Sequence, residues 1–190
     1  MTMQARHRLP VLVAFSSLVF EAAVLACEYF NGGVPSHHLL DRPDFPAISN
    51  WFGLAVLPLL GWLLGVRLRN HLTASTGSGL ARGMWAGLVC SLLYGAAMAT
   101  LFQLGMSAVL SGLFFGLFLL AALFPVYRVE YIFGFVVGMT FTFGTVLPTL
   151  VAVVFAAVSV VVHFVFRAAL SAIRSAGRKA PTDRPFKQTR

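Results

Sequence analysis

Residues 131–166 read YIFGFVVGMTFTFGTVLPTLVAVVFAAVSVVVHFVF, an apolar run of 36 residues with no Asp, Glu, Lys or Arg. A helix rises about 1.5 Å per residue, so about 20 residues cross a hydrocarbon core roughly 30 Å thick. The run is too long for one ordinary crossing, and Pro148 stands at its middle. Proline cannot donate the next backbone hydrogen bond, so the spacing predicts two helices, at 131–147 and 149–166, divided around Gly144–Pro148. The rival is a single long kinked helix.

Working outward, four more segments are long and apolar enough to span: 9–30, 50–66, 83–102 and 107–127. The whole chain is 58% hydrophobic and 11% charged, with mean hydropathy +0.85. A soluble domain carries about 25% charged residues, so most of this chain has no water to face. The fold class predicted is all-α, a polytopic transmembrane bundle of about six spans over 1–176, followed by a basic, disordered cytoplasmic tail at 177–190.

Charge placement separates six spans from five. The 14 Lys and Arg outnumber the 6 Asp and Glu, giving a net charge of +8. Arg6 and Arg8 precede the first span, Arg67, Arg69 and Arg82 flank the second connection, and Arg128 lies in the fourth. The tail carries Arg167, Arg174, Arg178, Lys179, Arg184, Lys187 and Arg190. Six spans put all of these on one side and leave only Arg42, offset by Asp41 and Asp44, on the other. Five spans would export the basic tail. The positive-inside rule therefore predicts six spans with both termini cytoplasmic, in a membrane of the bacterial inner type. It also explains the basic residues without nucleic acid. The partners expected are membrane lipids, with anionic lipid at the basic tail.

Gly61/Gly65, Gly83/Gly87, Gly112/Gly116 and Gly134/Gly138 are spaced four apart, each pair on one helical face. Small residues let helix backbones approach closely in lipid, and tight packing within the chain is the favoured reading over a homo-oligomer or a face for a membrane complex. Cys27 and Cys90 lie within apolar runs and read as small buried residues rather than a disulfide framework. Val24-Leu25-Ala26-Cys27 resembles a lipoprotein processing site, but Glu21 and the length of the run oppose it, so span one is expected to be retained. Trp51, Trp62 and Trp85 lie mostly near span ends, as interfacial anchors do.

The first external connection, residues 31–50, concentrates polar chemistry. Two of the five histidines and two of the three aspartates, His37, His38, Asp41 and Asp44, fall within eight residues of it. Its three prolines and Gly32-Gly33 make it a shaped loop. A helical turn capped by Ser36 would set His37 and Asp41 on one face. Imidazole and carboxylate suit zinc and related ions, so a divalent metal on His37, His38 and Asp41 is one reading. The spacing matches no established ligand pattern, and a solvated, hydrogen-bonded loop is favoured over it.

Span one adds Glu21 near the membrane centre and Glu28 at the outer end, seven residues apart on a shared face, with Ser17 extending the stripe. A charged carboxylate at the bilayer centre costs at least about 2–3 kcal/mol, so Glu21 should be protonated, paired or facing water. Thr142, Thr145 and Thr149 could share a second polar face, with Thr140 nearby, although threonines more often bond their own backbone. There is no GxSxG, phosphate loop, dinucleotide pattern or CxxC, which excludes most soluble-enzyme chemistries. The leading function is a transporter or channel-type protein for a small solute or ion, with a polar path from the outer loop past Glu28 to Glu21. A membrane enzyme using the external His/Asp/Glu cluster is the alternative. An accessory subunit of a membrane complex is the third.

Overall fold

A computed structural model describes residues 3–34, 36–38, 47–73 and 78–178. Six helices dominate: α1 (Met3–Phe30), α2 (Gly53–Thr73), α3 (Ser78–Gln103), α4 (Ser107–Leu123), α5 (Val129–Phe143) and α6 (Val146–Arg178). Four stretches, His7–Phe30, Asn50–Thr73, Arg82–Gln103 and Val146–Ser175, are long and apolar enough to cross a membrane; α4 and α5 are shorter and also apolar. The surface is inverted relative to a water-soluble protein. Phe15, Phe115 and Phe164 are more than half exposed, whereas Ser17, Glu21, Glu130, Thr140, Thr145 and Ser159 are buried. Lipid solvates apolar side chains and offers polar groups no partner, so the polar residues turn inward and bond to one another or to backbone carbonyls.

The apolar run 131–166 is divided, but four residues earlier than its proline. α5 ends at Phe143, and Gly144 turns the chain with φ 66°, a left-handed conformation that glycine adopts without strain. Pro148 is the third residue of α6, where its missing N–H breaks no helical hydrogen bond. Other bounds also move. α2 runs to Thr73 rather than Val66, and α6 passes the helical end expected near Ser175 to reach Arg178. α4 stops at Leu123, four residues before Tyr127, because Pro125 follows. Apolar runs locate the lipid-facing part of a helix, and backbone hydrogen bonding continues past it.

The two most extensive interfaces are α1 on α2 and α3 on α5, and contacts of α5 with α6, α4 with α6 and α2 with α5 join the pairs into one bundle. In the first, a Cβ at Gly61 would strike Ser17, and one at Gly65 would strike the Pro10 backbone. In the second, a Cβ at Gly134 would strike the Leu88 carbonyl, at Gly138 the Leu92 carbonyl, and at Gly95 the Phe135 carbonyl. α3 and α5 run parallel, because contacts ascend both helices together from Gly87–Tyr131 through Ser91–Gly134 to Gln103–Thr142. The paired glycines of α2 and α5 thus pack within the chain, while Gly83 and Gly112 have open space beside them. Both cysteines are free and exposed rather than buried, on the apolar outside of α1 and α3.

Between α1 and α2, Ser36–His38 (β1) pairs antiparallel with Ala47–Ser49 (β2), with His37 opposite Ile48. The expected helical turn after Ser36 is therefore replaced by extended backbone. Val34 and the β-branched Ile48, with Pro35 ahead of the strand, favour extension over a helical start.

Candidate functional site

Six of the chain's buried polar residues collect at two levels of the bundle. The upper level sits where the C-terminal half of α1 meets the start of α2 and the α5–α6 turn. Glu21 is nine residues, about 14 Å, below the end of α1 and is only 1% exposed. Its Oε2 accepts a 2.6 Å hydrogen bond from the Thr145 hydroxyl. The other oxygen lies against Gly53, where any Cβ would overlap the carboxylate. Thr145 in turn is 3.5 Å from Thr140, whose hydroxyl donates to the Val136 carbonyl at 2.7 Å.

Above this level, Asn50 Nδ2 donates to Glu28 Oε1 at 3.0 Å, in a turn of 3-10 helix (Asn50–Phe52) that leads into α2. The Asn50 amide fills the space where Gly144 would carry a Cβ. Gly144 adjoins Thr145, so Glu28, Asn50, the Gly144 turn, Thr145 and Glu21 form one connected descent. Glu28 Oε2 is buried without a hydrogen-bond partner among the described residues. Asn50 and Gly53 carried no warning in the sequence, because an isolated Asn and an isolated Gly at a helix start are ordinary capping residues.

The threonines do not share one face as expected. Thr140 and Thr145 point inward, Thr142 accepts from Gln103 at 3.3 Å, and Thr149 donates to the Thr145 carbonyl at 2.7 Å. Helical spacing was read across Gly144, and the helix is broken there. Ser17 is on the Glu21 side of α1, but its hydroxyl bonds its own helix at Val13, 2.8 Å away.

At the lower level Arg67 and Glu130, neither singled out by the sequence as a site, form an ion pair whose carboxylate is buried. Arg67 Nη2 donates to Glu130 Oε1 at 3.2 Å, and Nε lies 2.6 Å from Oε2 without hydrogen-bond alignment. The carboxylate is 2% exposed and the arginine side chain 33%. Nearby, Ser159 donates to the Phe124 carbonyl at 3.0 Å and Tyr127 packs edge-on to His163, fastening the α4–α5 connection to α6.

Of the loop candidates, the backbone of His37 and His38 lies in β1. Asp41 and Asp44 lie outside the described residues, so the structure joins neither to the histidines. Among the described residues no group of three His, Cys, Asp or Glu is placed to hold a metal ion. What is assembled is narrower: a helical protein with membrane-length apolar helices, an isolated buried carboxylate on one level and a paired one on the other. The chain matches no family model, no curated protein and no solved structure.

Proposed function

We propose that this is a six-span protein of transport or channel type, both termini cytoplasmic, that passes a proton or small cation through a site centred on Glu21. One contrast carries the reading. Glu130 meets a fixed counter-charge in Arg67, whereas Glu21 has no cationic partner among the described residues. Its single described side-chain donor is the neutral Thr145. A charged carboxylate at this depth is costly unless neutralised, so the neutralising charge at Glu21 is a mobile one, a proton or a small cation. Thr145 holds the carboxylate in place, and Glu28 with Asn50 supports a route to the outer face. The positive-inside distribution of Arg and Lys supports the orientation.

Glu21→Gln keeps shape and hydrogen bonding and removes the exchangeable proton. In proteoliposomes under an imposed membrane potential, wild-type protein should carry a proton or alkali-cation flux, and the Gln variant should be folded and inactive. A Glu21→Gln protein with wild-type flux across a pH series would reduce Glu21 to a packing residue.

A further inference from the structure

A cavity of about 350 Å³ lies between α3, α4, α5 and α6 in the half of the bundle that holds the basic connections. That volume falls within the roughly 300–1,000 Å³ of ligand sites. Its wall includes Gly87, Cys90, Leu117, Ile132 and Phe155, with Tyr94 at its upper end. Polar chemistry is nearly absent. The Ser91 hydroxyl donates to the Leu88 carbonyl at 3.0 Å, and the Tyr94 hydroxyl donates to the Leu113 carbonyl at 2.6 Å. No convergent set of free polar groups is left to orient a polar solute. On α3, Gly83, Ala86 and Cys90 line the cavity and are also exposed, so the space opens sideways to whatever surrounds the bundle.

The charge at its lower end is one-sided. Arg82 immediately precedes Gly83, and Arg128 follows Val126 by two residues; both Gly83 and Val126 line the cavity. Both arginines are exposed, and neither forms an ion pair among the described residues. Glu130, the acid closest in sequence, is held by Arg67. An apolar slot opening sideways, with two exposed arginines adjoining its lining residues in sequence at one end, complements one molecule class. We infer that the cavity takes an acyl chain of an anionic glycerophospholipid, whose phosphate is bound by Arg82 and Arg128. The site is separate from Glu21 and does not depend on its role.

Native mass spectrometry of the full chain in mild detergent, with added phosphatidylglycerol or phosphatidylcholine, tests this. Wild-type protein should retain one phosphatidylglycerol, preferred about thirtyfold over phosphatidylcholine, from two basic residues at the headgroup. Cys90→Trp, which fills the slot, should lose that lipid while keeping every basic residue. Arg82→Gln/Arg128→Gln, a surface change that leaves the slot intact, should lose the preference for phosphatidylglycerol. Retention of phosphatidylglycerol by folded Cys90→Trp would assign it to the basic tail and overturn the inference. Equal retention of both lipids by wild type, or an unchanged preference in the double arginine variant, would also overturn it. The arginine variant decides the matter even if Cys90→Trp does not fold.

Discussion

Arg67 and Glu130 meet across 63 positions of sequence, tying the lower end of α2 to the first turn of α5. Removing one partner leaves the other as an unmatched charge in a largely apolar setting. Glu130 is the more deeply buried of the two, so the losses are unequal.

Arg67→Met should therefore destabilise the protein by about 2–4 kcal/mol, and Glu130→Gln by less, because it leaves the partly exposed arginine access to water. The double variant should recover most of the Arg67→Met loss. Reversible unfolding in bicelles, run as a double-mutant cycle, measures the coupling. A double variant whose loss equals the sum of the two single losses would mean that the pair is not coupled.

Thr145→Val preserves volume and deletes the donor to Glu21. A buried acceptor stripped of its hydrogen bond costs about 1–3 kcal/mol. Thr145→Ser should sit close to wild type, and its agreement with Thr145→Val in a thermal unfolding series would argue against the hydrogen bond. Gly53→Ala should disturb the same carboxylate by direct collision, although alanine is the better helix former.

The two kinds of glycine should part company. Gly138→Ala pushes a methyl into the Leu92 carbonyl and should lose about 1–3 kcal/mol. Gly112→Ala on α4 meets open space and should be neutral or gain up to about 1 kcal/mol from helix propensity. Equal effects at both positions in detergent melting would show that α3–α5 packing does not depend on close approach.

Topology is accessible to single-cysteine labelling in a background lacking Cys27 and Cys90. Positions 82, 128 and 185 should react from the cytoplasmic side only, and position 49 from the outside only. Labelling of position 185 from outside intact cells would remove the six-span orientation.

At the outer loop, elemental analysis of the purified protein addresses the metal. If His37, His38 and Asp41 form a site, alanine at any one should abolish function with expression and detergent stability nearly unchanged. Full tolerance of all three changes is the outcome expected of a solvated loop.

Much was legible along the chain. Its membrane-helical class, the positions of its apolar segments and the division of 131–166 follow from hydropathy and local backbone chemistry, which act over one or two helical turns. The position of Glu21 midway along its apolar segment was also readable, since distance along a helix is proportional to residue number. Its partner was not, because Thr145 lies 124 positions away. Glu130 passed unremarked beside Arg128 and gained its meaning only when α2 delivered Arg67 to it. The glycine pairs looked alike in sequence, yet Gly134 and Gly138 are filled by α3 while Gly112 faces open space. In lipid, apolar surface does not choose between neighbouring helices, so the pairing rests on where backbones fit closely and where buried polar groups find partners, and both are properties of the assembled bundle.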